Sequence, residues 1–310
     1  MKALRNVYGE TLIALAQKNP SLVVVDPDVG NSTKADLFGD ALPDRYFSVG
    51  IAEQNAVGMA AGLANTGFVP WLSTFSPFLS HRAVDQIRIM VAQSRTNVKL
   101  AGAYTGLLTG ATGRTHQDVS DIAVIRSMPD MTLISPADEH ELVAAMDWAQ
   151  NYVGPVYFRI TRDPEESIFG PDYTFTPGAV HTVRPGTDAV YVATGVQTVR
   201  CVQAATALDA EGLSVGVVHV PSLKPVDEDA LMDALSGVDE VISVEEHTVI
   251  GGLGGLVAET MTSRASGARL TRWGLDDIWT ESAPNDFLLD KYGLSSSKVA
   301  SRTIELLRSR

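Results

Sequence analysis

Apolar and polar positions follow two alternating rhythms along the chain. Short runs rich in Val, Ile and Leu give way to longer stretches with helical spacing, repeating at intervals of roughly 20–35 residues, the mark of βα units and a parallel sheet. The first half predicts strands at Leu22–Asp26, Phe68–Ser73, Val98–Ala103, Met131–Ser135 and Val156–Ile160. Helices are predicted between them at Leu4–Gln17, Ala52–Ala64, Phe78–Gln93, Val119–Ser127 and Glu139–Asn151. Asp163–Asp188 then breaks the rhythm with Pro164, Pro171, Pro177 and Pro185 among several glycines, and reads as an ordered linker. Beyond it the pattern restarts with strands at Ala189–Ala193, Ser214–Val220 and Glu240–Val244. Helices are expected at Thr198–Ala210, Asp229–Leu235, Gly255–Ser263 and Lys298–Arg308.

A length of 310 residues, about twice a typical domain, agrees with two domains. The composition, 45% hydrophobic and 20% charged, supplies two ordinary cores. A formal net charge of −13 argues against nucleic acid or an anionic membrane as the main partner. The single cysteine, Cys201, cannot form an internal disulfide. The amino terminus lacks a signal-peptide core and no apolar run is long enough to span a bilayer, so the expectation is a cytoplasmic α/β protein.

Four features could carry chemistry. In GIAEQNAVGMAAGLA, Gly50 to Ala64, Glu53 enters a helix built almost wholly of small and apolar residues, which suits close packing at a subunit contact. An acid there also favours the helix dipole, and in apolar surroundings a carboxyl holds its proton and can donate it to a ligand nitrogen. In STFSPFLSHRAVDQIR, Phe75, Phe78 and His81 recur every third residue; they read either as core packing or as an apolar slot for an aromatic ring. TGLLTGATGRTHQDVSD, Thr105 to Asp121, is a glycine-rich loop after a strand, where parallel sheets bind ligands, and it carries His116. Arg162 ends the strand PVYFRIT and suits either an anion or a surface ion pair. Two other segments are set aside. Gly251, Gly252, Gly254 and Gly255 match neither a dinucleotide fingerprint nor a P-loop, and read as tight strand-to-helix packing. Glu245, Glu246 and His247 lack zinc-ligand spacing, so no metal is assigned to them.

Taken in order, GIAEQN, STFSPFLSHRAVDQIR, THQDVSDIAVIRSMPDMTLISPAD and VEEHTVIGGLGG resemble the carboxyl-terminal half of transketolases, thiamine-diphosphate enzymes. The resemblance implies a parallel-sheet pyrimidine-binding domain over 1–165, a linker over 166–187 and a smaller α/β carboxyl-terminal domain over 188–310. It also implies that Glu53 bonds N1′ of the cofactor's aminopyrimidine, favouring the imino tautomer that takes the proton from the thiazolium. Phe78 matches the ring that stacks on the pyrimidine, with Phe75 beside it, and His81 stands where better-known members carry another aromatic. Asp28 matches an acid near the thiazolium. His116 matches a histidine that contacts substrate oxygens, while Arg162, Arg5 and Ser32 match a sugar-phosphate site, whose geometry guanidinium forks suit.

The sequence departs from that family at Ala52, where many members have arginine, at Tyr104, where they have histidine, and at Thr112, where they have aspartate. The family holds the diphosphate through Mg²⁺ or Ca²⁺ with a GDG motif in a separate amino-terminal domain, and no GDG occurs here. The resemblance therefore implies the C-terminal subunit of a split transketolase. It would move a two-carbon ketol unit from ketose to aldose, with an N-terminal partner holding the diphosphate and metal in an α₂β₂ assembly built on a homodimer. The alternatives are the beta subunit of a 2-oxoacid dehydrogenase, a deoxyxylulose-phosphate-synthase-like acyloin former, or a non-catalytic subunit of the same fold.

Overall fold

Strands whose residues are nearly all buried occupy the middle of each sheet, and those with exposed polar positions lie at the edges. The computed structural model describes residues 2–309. Its strands are β1 (Leu22–Asp26), β2 (Tyr46–Ser48), β3 (Val69–Phe75), β4 (Lys99–Ala103), β5 (Thr132–Ile134), β6 (Val156–Ile160), β7 (His181–Arg184), β8 (Ala189–Ala193), β9 (Val215–His219), β10 (Ser222–Lys224), β11 (Glu240–Thr248) and β12 (Arg269–Leu275). They form two α/β domains. The first contains a seven-stranded sheet in the order β10-β5-β6-β4-β3-β1-β2, the second a five-stranded sheet in the order β12-β11-β8-β9-β7. Neighbours are parallel except β10 with β5 and β7 with β9. Runs such as LVVVD in β1 and VYFRI in β6 are buried throughout, as strands covered on both faces require.

Helices cover the sheets through the apolar stripes the sequence marks. Leu4–Lys18 buries Leu4, Val7, Tyr8, Thr11, Leu12 and Leu15, a three-to-four-residue spacing, against Glu139–Asn151. Asp138 starts the latter helix, its carboxylate accepting the His140 and Glu141 N–H groups. Glu53–Asn65 buries Glu53, Ala56, Val57, Ala60 and Ala61. Its other side leaves Gln54, Asn55 and Gly62 open within the chain, so this helix is one-sided rather than enclosed.

Several elements differ from the sequence expectation. The helix foreseen over Phe78–Gln93 is interrupted: π-type turns at Phe78–Arg82 and Ile87–Gln93 flank a single α turn, Val84–Gln86. Such wide turns often mark functional sites. The proline-rich segment after Asp163 contains β7, and its backbone N–H groups at Ile168 and Phe169 donate to Asp138. The charged edge strand β12 and the short strands β2 and β10 carry no run of apolar residues, and the sequence pattern does not predict them.

A buried charged chain joins the two domains. Arg159 pairs with Asp121 through Nε (2.8 Å) and Nη2 (3.2 Å), and Nη2 also donates to the Glu246 carbonyl. The Glu246 carboxylate accepts from Arg200 (2.8 Å) and from the Leu107 N–H (2.6 Å), while Arg200 reaches Glu165. Glu245 caps the helix Leu253–Ser263 by accepting the Leu253 and Gly254 N–H groups. A Cβ on Gly252 would lie 2.0 Å from that carboxylate, so the glycines here serve close packing. The His247 Nδ1–H donates to the Thr248 carbonyl, and Nε2 accepts from the Ala123 N–H.

Candidate active site

The strand order sets the site. Because β6, β4, β3 and β1 are neighbours, their carboxyl ends stand side by side, and the residues that leave them converge. Phe75 ends β3, Tyr104 follows β4, Arg162 follows β6, and Ser32 lies beyond β1. Tyr104 takes a left-handed backbone (φ 60°) that a bulky side chain rarely adopts, held by its N–H donating to the Ile160 carbonyl at 2.7 Å.

That buried tyrosine joins two clusters. On one side are Phe75, Phe78 and His116. Phe75 lies 5.6 Å from Phe78, 4.7 Å from Tyr104 and 5.4 Å from His116, and Phe78 is 5.4 Å from His116, all edge-on between ring centroids. On the other side the Tyr104 hydroxyl donates to the Ser32 carbonyl (3.1 Å) and accepts from Arg5, which also donates to that carbonyl. Arg5 and Arg162 both lie over the Tyr104 ring, at 5.6 and 5.5 Å. Neither forms an ion pair among the described residues, and the buried Nε–H of Arg5 has no acceptor. The surface ion pair considered for Arg162 is therefore absent there.

Glu53 opens its helix 2% exposed, yet its surroundings are not purely apolar. Arg82 Nη1 donates to Glu53 Oε1 at 2.6 Å, and its guanidinium lies 4.0 Å from the centre of the Phe78 ring. Oε2 has no partner among the described residues. Sequence reasoning missed Arg82. It stands one residue after His81 in STFSPFLSHRAVDQIR, but only the π-type turn reveals that it folds back onto Phe78 and Glu53.

His81 does not join the ring cluster. Its Nε2 lies 3.0 Å from the Ser120 hydroxyl and 3.5 Å from the Asp118 carboxylate. Hydrogen bonding to Asp118, followed by its charge, raises the imidazole above its ordinary value despite partial burial. Burial opposes ionisation of Asp118 itself, but His81, Ser76 and Ser80 more than offset this and hold the carboxyl at about 2. His81 still lines, with Phe78, Arg82, Arg114, Ser120 and Trp279, an open cleft of about 500 Å³. Asp28 is exposed at a left-handed turn (φ 65°) and lines a cleft with Asp26, Asn31, Asp36 and Tyr46.

Comparison with known proteins bears on the family and the fold that carry this site. The family description "Transketolase, pyrimidine binding domain" matches residues 1–164, and "Transketolase, C-terminal domain" matches 178–299. The chain is 38% identical over 309 residues to a putative transketolase C-terminal section from Methanocaldococcus jannaschii, covering 99% of this chain and 97% of that protein. An apulose-4-phosphate transketolase subunit from Actinobacillus succinogenes is 39% identical over 274 residues, 88% of each protein. A solved structure described as a split gene transketolase, inactive beta4 tetramer, superposes with a TM-score of 0.91 at 38% identity and 99% coverage of both chains.

Proposed function

The chain belongs to the transketolase family, and from that premise we propose that it is the C-terminal subunit of a split transketolase. In this reading it transfers a two-carbon ketol unit from a ketose to an aldose, using thiamine diphosphate. A separately encoded N-terminal subunit holds the diphosphate and its Mg²⁺ or Ca²⁺. One observation carries the proposal: the match runs end to end with proteins of this size, reaching 97% of a transketolase C-terminal section and 99% of a split-gene transketolase chain. Beside the exposed Gln54 and Asn55 of the helix Glu53–Asn65, Ile51 is 75% exposed and Met90 42% exposed, the Met90 sulfur lying 3.7 Å from the position of a Cβ on Gly58. This supports a subunit contact on that face, and the split-enzyme reading implies an α₂β₂ assembly around it.

The chain's own residues fit the pyrimidine end of the cofactor. A buried carboxylate with one oxygen unengaged adjoins the half-buried Phe75–Phe78 pair, which suits a flat heteroaromatic ring bearing a hydrogen-bonding nitrogen. Bound thiamine diphosphate supplies an acidic thiazolium carbon and an electron sink. Within this reading Glu53 holds or shares a proton at the pyrimidine nitrogen, Phe75 and Phe78 orient the ring and exclude water, and His116 meets substrate oxygens from the same ring cluster. Arg5, Arg162 and Ser32, gathered by Tyr104, offer an uncompensated cationic patch and a buried unpaired N–H, which suits a phosphate at the far end of the sugar.

Reconstitution tests the proposal. The chain alone should turn nothing over with thiamine diphosphate and Mg²⁺, and co-purification with a transketolase N-terminal subunit should restore ketol transfer. Full transfer by this chain alone would overturn the split-enzyme reading.

A further inference from the structure

The loop that carries His116 is held from the second domain as well as from its own sheet. Asn285 spends its whole carboxamide on this task. Oδ1 accepts the Gly110 N–H at 2.8 Å, and Nδ2 donates to the Leu108 carbonyl at 3.1 Å and to Asp163 Oδ2 at 2.6 Å. One side chain thus touches both the glycine-rich loop and the residue next to Arg162. Five residues earlier, the Thr280 hydroxyl donates to Gln117 Oε1 at 2.6 Å and Gln117 Nε2 donates to the Glu281 carbonyl at 3.2 Å, directly beside His116. Arg114 Nε donates to the Thr280 carbonyl, and the Ala283 N–H donates to the Gly110 carbonyl.

The approach is too close for side chains on the loop. A Cβ on Gly110 would lie 2.3 Å from the Ala283 carbonyl oxygen and 2.8 Å from Asn285 Oδ1; one on Gly113 would lie 2.1 Å from Ser282 Oγ. The glycines that give the loop its freedom are also what admits the segment from the second domain, which then removes that freedom. A loop rich in glycine loses much entropy on ordering, so external hydrogen bonds are needed to fix it.

We infer that the segment Thr280–Asn285 of the C-terminal domain is a clamp that positions the His116 loop and sets its register against Arg162, making Thr280 and Asn285 positioning residues for substrate. The kinetic part of this inference rests on the proposed role of His116; the clamp itself does not. Its test reads loop order and kinetics separately. Hydrogen–deuterium exchange of the chain would compare Asn285→Ala, Thr280→Val and the conservative Thr280→Ser with wild type. Thr280→Val, which removes one such hydrogen bond, should quicken exchange across residues 105–117 roughly tenfold, and Asn285→Ala, which removes three, by at least as much. Thr280→Ser, which keeps the hydroxyl, should stay near wild type. In the reconstituted complex, with a ketose phosphate as donor and glycolaldehyde as acceptor, KM should rise about tenfold while kcat falls less.

Gly110→Ala approaches the same contact from the loop side. Its effect should combine non-additively with that of Asn285→Ala. Unchanged exchange in Asn285→Ala and Thr280→Val, or strictly additive effects in the double variant, would overturn the clamp. Faster exchange with unaltered kinetics leaves the clamp standing and overturns only the positioning role, and His116→Ala then separates the causes. An inert His116→Ala removes the site reading, whereas a damaging one removes only the link between loop order and substrate.

Discussion

Replacing Glu53 by glutamine separates chemistry from folding, because the two costs can be estimated independently. The substitution conserves volume at a position 2% exposed, so no cavity opens. What is lost on the folding side is the charge in the 2.6 Å contact with Arg82. A charge-assisted hydrogen bond is worth ~1.5–3 kcal/mol when sheltered. The Arg82 side chain, however, is 46% exposed, and solvent screening brings the figure nearer ~0.2–1 kcal/mol. The glutamine carbonyl can still accept from Arg82. For a chain of this size that amounts to a fall in Tm of about 2 °C or less. On the chemical side, losing a positioned acid–base group typically costs ~10²–10⁴-fold in rate, equivalent to about 3–5 kcal/mol of transition-state stabilisation. Thermal unfolding of the chain and kcat of the reconstituted complex at saturating cofactor would therefore move very differently. A Glu53→Gln complex turning over within about threefold of wild type would refute the assignment. A collapse in Tm matching the loss of activity would refute the reasoning that places this carboxylate in chemistry rather than in folding.

Three other substitutions probe separate parts of the site. Arg162→Ala should raise KM for a phosphorylated substrate far more than for glycolaldehyde; equal effects on both would remove Arg162 from an anion site. Asp118→Asn should lower the titration midpoint of His81, followed by NMR of its ring protons, because Asp118 is what raises it. The sign is that of a base stabilised as the cation: the pair's contribution is present below the unfolded histidine value and is lost as pH rises through the folded one, so an unmoved midpoint would exclude the pairing. Arg159→Met should destabilise the chain by ~3–5 kcal/mol in denaturant titrations, because it strands the Asp121 carboxylate, which is 0% exposed. Loss below about 1 kcal/mol would show that the buried pair adds little to the stability of the first domain.

Legibility in the sequence followed physical range. Strands buried on both faces announce themselves as apolar runs, and β1, β4, β6, β8 and the helix Glu139–Asn151 stand within a residue or so of their expected places. A strand such as β12, RLTRWGL, is exposed at several positions on a sheet edge, and edge strands are kept polar to prevent pairing. The same chemistry that protects it hides it from a pattern of apolar residues. At the site, Phe75, Phe78 and His116 lie in local motifs and the structure brings their rings together. The convergence of Arg5, Ser32 and Arg162 on Tyr104 depends on strand order, which no local window contains. Arg82 sits beside His81 but is concealed by an irregular turn, and Asn285 acts on Gly110 from 175 residues away. Neither signal exists below the level of tertiary structure.

The strand β10 comes late in the chain, after β9 of the second sheet, yet it pairs with β5 at the outer edge of the first. The first domain is therefore finished by a strip of backbone that it does not encode. Cut away from the second half, it would leave the N–H and C=O groups on the outer edge of β5 unpaired, an open template for other chains, while the inner edge still pairs with β6. A gene fusion, a domain swap between relatives or a recombination event falling between the halves would carry that exposed edge with it. Modularity here stops above the single domain, because the first sheet is complete only when both halves are present.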